Sequence, residues 1–198
     1  MLCHVLAFCA CYFASVIHVK LKNKKIMATI NLSNDFMAKM LEDNAWKELS
    51  GELQWTEQML EKYKEKVDWK EVTTNRNIVW TVPMIEKFKN RIDWDELSSS
   101  DNDHLFTAEL LDRYKHLWNW HELSRNSSLQ LTEELLERFA DRWDWSEIID
   151  CYGRDGMYSA AFYEKYQERI PASALHRSSL WNKLVEDEKK QLKVQIYS

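Results

Sequence analysis

One phrase recurs four times along this chain. "KVDWKEVTTN" at residues 66–75 returns as "RIDWDELSSS" at 91–100, "LWNWHELSRN" at 117–126 and "RWDWSEIIDC" at 142–151. Its tryptophans, Trp69, Trp94, Trp120 and Trp145, lie 25, 26 and 25 residues apart, and Trp46 stands 23 before the first. Two further series keep step. Thr56, Thr81, Thr107, Thr132 and Ser159 form one; Tyr63, Phe88, Tyr114, Phe139 and Tyr166 follow them by seven residues each. Three landmarks in constant phase mark a tandem array of small units.

Each unit reads as two helices. The Thr or Ser is an N-cap, whose hydroxyl accepts from an otherwise unpaired N–H of the first turn. Acids follow it (Glu57, Glu109, Glu133, Glu134), where they suit the helix dipole, and Pro83 falls in a first turn. Trp55, Trp80, Phe106, Leu131 and Tyr158 precede the caps, and Leu60, Ile85, Leu111, Leu136 and Tyr163 follow four residues after them, the two positions of a hydrophobic staple. Met59, Leu60, Tyr63 and Val67 then form one apolar stripe, repeated in every unit, with Lys, Glu, Arg and Asp opposite. Asp68, Asp93, Asn119 and Asp144 are each followed three residues later by Glu71, Glu96, Glu122 and Glu147. That is a capping box, and it starts a second, shorter helix whose first residue is the repeated Trp. The ring is expected to wedge the short helix against the long one.

The pattern predicts an all-α fold, a short α-solenoid of helix–turn–short-helix repeats with about five to six units. The few breakers, 3 Gly and 2 Pro, agree with helices. A partial unit covers 34–55, with Ser33 or Asn34 as its cap; units cover 56–80, 81–106, 107–131 and 132–158; a capping unit covers 159–181. In that last unit Pro171 and Ala172 replace the cap Asp and the Trp, and 182–198 reads as a polar closing helix with a frayed tail. Asp-Trp-x-x-Leu-Ser, followed by an aromatic-Thr helix start, resembles the uncharacterised tryptophan-rich tandem-repeat proteins of bacteria and large viruses. The likeness covers Trp46 to Tyr158 and implies an architecture without a mechanism. Those repeats often carry Asn-Pro in the connector, where this chain has Asn75-Arg76 and Asn126-Ser127.

Residues 1–26 read differently from the helical repeat domain at 27–198. An apolar run over 1–19 is followed at once by "KLKNKK". Three readings stay open: a membrane anchor with the lysines and the repeats on the cytoplasmic side, a cleaved signal lacking the usual leading charge, or an over-extended start with Met27 opening a soluble chain. Cys3, Cys9 and Cys11 also fall here and Cys151 stands alone, so neither a disulfide framework nor a zinc site is indicated. The formal net charge is −5, and without this segment's four lysines the balance is 23 basic against 32 acidic residues. An acidic body disfavours nucleic acid and favours a basic protein partner.

No catalytic residue, cofactor site or metal site is indicated. G-x-S-x-G, P-loop and Rossmann glycine patterns are missing, and His104, His116, His121 and His176 are scattered over several units. The connector "DCYGRDGMY" at 150–158 breaks the repeat spacing and holds two of the three glycines. Its residues Cys151, Tyr152, Gly153, Arg154, Asp155 and Gly156 are the candidate partner-binding loop. A phosphate-binding G-x-x-G is a poorer fit, because no strands accompany it. The expected function is a non-enzymatic protein-interaction scaffold in the cytoplasm. The alternatives are a membrane-anchored or surface-attached repeat protein, and carbohydrate or peptide binding through exposed Trp.

Overall fold

The computed structural model describes residues 35–151, 153, 154 and 156–198. The expectations for residues 1–26 and for caps at Ser33 and Asn34 lie outside the described residues. Those residues form twelve α-helices and one 3₁₀ turn, without a strand, so the chain is all-α there. It divides into two compact units, one ending at Leu49 and the other spanning Ser50–Ser198.

Helix α1 (Asp35–Glu52) is continuous through Trp46. The later units start a new helix before their Trp because Asp or Asn accepts the first free N–H groups. Ala45 stands at that position and has no acceptor, so nothing interrupts α1.

From Ser50 onward the helices come in pairs: α2 (Glu57–Tyr63) with α3 (Trp69–Thr74), α4 (Val82–Phe88) with α5 (Trp94–Ser99), α6 (Ala108–Arg113) with α7 (Trp120–Arg125), and α8 (Glu133–Arg138) with α9 (Trp145–Ile148). A 3₁₀ turn at Asp103–Leu105 lies between α5 and α6. The first helix of each pair starts as expected, with Thr56, Thr81, Thr107 and Thr132 accepting from the N–H three residues on at 3.3–3.4 Å. These helices are shorter than the stripe implied. They end at the third landmark or one residue before it, and Val67, Ile92, Trp118 and Trp143 follow in a tight turn. There each N–H bonds back to the carbonyl of Tyr63, Phe88, Tyr114 or Phe139 at 3.0–3.3 Å. The turn keeps these four side chains buried with the stripe. The helices of a pair are therefore about two turns long, except α9, which has four residues.

Asp68, Asp93, Asn119 and Asp144 cap the second helices. The reciprocal half of the expected capping box is replaced, because the cap's own N–H goes to a hydroxyl of the preceding unit. Asp68 N–H donates to Ser50 Oγ at 3.0 Å, Asp93 to Thr73 at 3.2 Å, Asn119 to Ser98 at 3.0 Å and Asp144 to Ser124 at 2.9 Å. Thr73, Ser98 and Ser124 also donate to the carbonyl of their own Trp, each at 2.6 Å. One buried hydroxyl thus closes the second helix and fixes the start of the next. The second helices pack in succession, α3 on α5, α5 on α7 and α7 on α9.

The series ends at a matched pair of changes. Ile149 stands where the hydroxyl would be, and the next cap is Pro171, before α11 (Ala172–Leu175), which has no N–H to offer. The Ile149 carbonyl instead receives the Leu180 N–H at 3.0 Å. Between these, α10 (Ala160–Tyr166) repeats the first-helix start with Ser159 as cap. The last element is one helix of 19 residues, α12 (Ser179–Tyr197), capped by Ser178. A frayed tail was expected there. The helix continues because its Lys183–Asp187, Lys189–Glu186 and Lys190–Asp187 pairs sit at helical spacing.

Candidate functional site

The repeated tryptophans share one seat. Trp69, Trp94, Trp120 and Trp145 each donate their indole N–H to the carbonyl five residues back, those of Lys64, Lys89, Lys115 and Ala140, at 2.8–2.9 Å. This ties the second helix to the end of the first within a unit. Each ring then lies on the third-landmark aromatic of the next unit: Phe88, Tyr114, Phe139 and Tyr166, with centroids 5.0–5.4 Å apart. Trp118 and Trp143 add edge contacts to Trp94 and Trp120 at 4.9 Å. Arg91 and Arg142 lie over Trp69 and Trp120 and donate to the carbonyls of Lys64 and Lys115. The rings are therefore half-buried or, for Trp145, buried, and their N–H groups already have acceptors. Trp46 differs, since its N–H points to Glu42 within α1 at 3.4 Å.

In the 150–158 connector Cys151, Arg154 and Tyr158 are buried. Arg154 is only 8% exposed, and its two terminal nitrogens donate to the carbonyls of Ser124 at 2.6 Å and Asn126 at 2.8 Å in the preceding unit. Burial pulls its guanidinium pKa down. Elsewhere an Asn six residues past the Trp has this role. Asn75 donates to the carbonyls of Ser50 and Leu53 at 2.9 and 2.7 Å, and Asn126 to those of Ser98 and Ser100 at 2.8 and 2.9 Å. Cys151 occupies that Asn position; its buried thiol donates to the Arg125 carbonyl at 3.2 Å, and burial pushes its pKa up. Arg154 takes over the missing amide's task, and the looped backbone brings it there. Tyr158 anchors the far side, donating to the Ile148 carbonyl at 2.8 Å. Gly153 has φ 85°, the left-handed conformation that glycine adopts freely, and Gly156 is exposed. Tyr152 and Asp155 lie outside the described residues. The sequence signal for Arg154's task was the loss of Asn at position 151.

The histidines also link neighbours. His104 bonds the Trp80 carbonyl at 2.8 Å, in the unit where Ser100 is too short to reach back as Asn does. His121 meets Asp144 at 2.9 Å across one unit boundary, and that hydrogen bond raises the imidazole pKa above its ordinary value of 6.5. On Asp144 burial acts upward, but bonds from Ser146 and His121 outweigh it and hold the carboxyl below 3.8. His176 packs on Trp181. Among the described residues no group of His, Cys, Asp and Glu converges as a metal site.

Charges on the first-helix face bridge units in a regular sense, acid on the earlier unit and base on the later. Lys87 pairs with Glu57 at 3.0 Å, Arg91 with Glu65, Arg138 with Asp112 at 3.3 Å, and Lys165 with Glu133 and Glu137. The second-helix face is predominantly acidic, with Lys70 paired to Glu96 and Arg125 to Glu122. The segments 68–75, 93–100, 119–126 and 144–151 hold nine carboxylates against Lys70 and Arg125. No described helix is long and apolar enough to cross a membrane. Comparison with protein-family models, curated proteins and solved structures found no match to this chain.

Proposed function

We propose that the chain is a non-enzymatic interaction scaffold, a short α-solenoid whose second-helix face receives a basic protein partner. The observation that carries this is the sorting of charge between two faces. On the first-helix face, cations and carboxylates neutralise one another across unit boundaries. On the second-helix face the carboxylates Glu71, Asp95, Glu96 and Glu122 recur on helices that pack in succession, outnumbering Lys70 and Arg125, which pair with Glu96 and Glu122. A row of like charge at unit spacing favours an extended basic segment over a compact ligand. The carbohydrate or peptide reading through Trp finds less support, because arginines and the next unit's aromatics cover the rings.

The test compares the full chain with a quadruple variant, Glu71→Gln, Asp95→Asn, Glu96→Gln and Glu122→Gln, in affinity capture at low and high salt. These four are not the cap residues, so the helices keep their starts. The expected partner is basic, is released as salt shortens the screening length below about 10 Å, and is missing from the variant. A partner that binds both proteins equally, or ignores salt, rejects the acidic face as the binding surface.

A further inference from the structure

We propose that the seam between the second and third helix pairs holds a docking slot for an arginine side chain of a partner protein. The repeat itself supplies the template. Arg91, Leu117 and Arg142 stand three residues before Trp94, Trp120 and Trp145. Arg91 reaches back over Trp69 and donates to the Lys64 carbonyl at 3.1 Å. Arg142 reaches back over Trp120 and donates to the Lys115 carbonyl at 3.3 Å. Each of those carbonyls also accepts the indole N–H of the covered Trp, at 2.9 Å. Leu117 breaks the series. The Lys89 carbonyl accepts the Trp94 indole at 2.8 Å, but leucine has no donor to offer the second lone pair. Leucine also stops several bonds short of a guanidinium. A groove of about 550 Å³ opens at this place, lined by Glu86, Lys89 and Asn90 from one pair and by Arg113, His116 and Leu117 from the next.

The bases in the groove do not exclude a guanidinium. Lys89 is held by Glu86 at 2.7 Å and Arg113 by Glu109 at 3.0 Å, so neither is an uncompensated cation. Arg142 already sits in the corresponding surroundings one seam later. There Lys115 and Arg138 share Asp112, the counterpart of Glu86, and His116 stands where Asn90 does. The two seams match in these charges and differ in the arginine itself. A planar guanidinium covers an indole and donates in its own plane to a carbonyl, which a compact ammonium does less well. Leu117, 40% exposed, gives the methylenes of the incoming arginine an aliphatic surface. The slot lies on the first-helix side, so it and the acidic second-helix face can fail separately.

The experiment follows the indole N–H signals of the full chain by proton–nitrogen correlation NMR. The chain has ten tryptophans, and Trp94→Phe assigns the signal at issue. The probe is Nα-acetyl-arginine amide, which mimics an arginine within a chain. It should shift the Trp94 signal ahead of the other indoles, and bind roughly fivefold more tightly than Nα-acetyl-lysine amide at equal ionic strength. Leu117→Arg should put the chain's own guanidinium in the slot. The Trp94 signal then moves the same way with no probe added, and the probe no longer affects it. A Trp94 signal that ignores the arginine probe, an equal response to the lysine probe, or a response that persists in folded Leu117→Arg overturns the proposal. Free arginine that binds more tightly than the capped form overturns it in favour of a small metabolite.

Discussion

Replacing Ser98 by Ala tests the hydroxyl relay that joins the units. Ser98 is fully buried; its Oγ donates to the Trp94 carbonyl at 2.6 Å and accepts from Asn119 N–H at 3.0 Å. The carbonyl loses only an extra bond, since it still sits in a helix. The N–H is left facing a methyl group. Leaving a partly buried donor without its partner costs about 1–3 kcal/mol, so the expected loss is about 2 kcal/mol. For a body of this size that lowers the melting temperature by roughly 4–8 °C. Urea unfolding of the full chain, followed by tryptophan fluorescence, reads the loss directly. Ser98→Thr is the control and should cost less than about 0.5 kcal/mol, because Thr73 already occupies the equivalent place in the preceding unit. Ile149→Ser is the converse. Pro171 offers no N–H, so the new hydroxyl gains no partner there and a fully buried side chain is lost, at about 2 kcal/mol or more. Ser98→Ala within about 0.5 kcal/mol of wild type, or a stabilising Ile149→Ser, would refute the relay.

Trp94→Ala should cost about 3 kcal/mol, since the half-buried ring contacts Tyr114 and Trp118 and donates to Lys89; a loss near zero in the same urea assay would show that the seat is unimportant. Arg154→Met should cost about 3 kcal/mol by leaving the Ser124 and Asn126 carbonyls without their donor, and adding Cys151→Asn should restore part of it by returning the amide used in other units. His121 has a raised pKa in the folded chain, so its bond to Asp144 stabilises fully below the unfolded value near 6.5 and is lost as pH rises through the folded value. Glu122 and Glu147 act in the same direction. The pair is half-exposed, so the effect is roughly 0.5 kcal/mol, and His121→Gln should flatten stability across neutral pH without otherwise changing it.

What was legible in the sequence is whatever a position demands by residue type. A hydroxyl cap before a first turn, an Asp or Asn before the Trp and an apolar stripe recur because each needs that chemistry, so the periodicity exposed them. The length of the first helix was misjudged because a helical stripe and a helix followed by a tight turn place Val67 or Ile92 on the same side. The capping box was half right. Glu71 and its counterparts stand at the correct spacing, but the preceding unit supplies a nearer acceptor for the cap N–H, and no local pattern reports a neighbour. The histidine scatter looked uninformative because His104 and His121 answer different local needs.

The carbonyls four residues past the repeated Trp explain why the rest stayed hidden. Each of four such carbonyls receives a donor from the following unit, yet the donors share no residue type. Ser50 is met by the Asn75 amide, Ser98 by the Asn126 amide, Ser124 by the Arg154 guanidinium and Ile149 by the Leu180 backbone N–H. The position requires a donor at one point in space, and chain length is free to vary in reaching it. Alignment by phase sees Asn become Cys151 and a glycine loop appear, and reads a departure from the pattern. In space the departure conserves the bond. The same reasoning accounts for the far end, where Pro171 removes a donor as Ile149 removes its acceptor, so the seam closes without an orphaned group. It also explains the start of α12, whose first turn satisfies that last carbonyl.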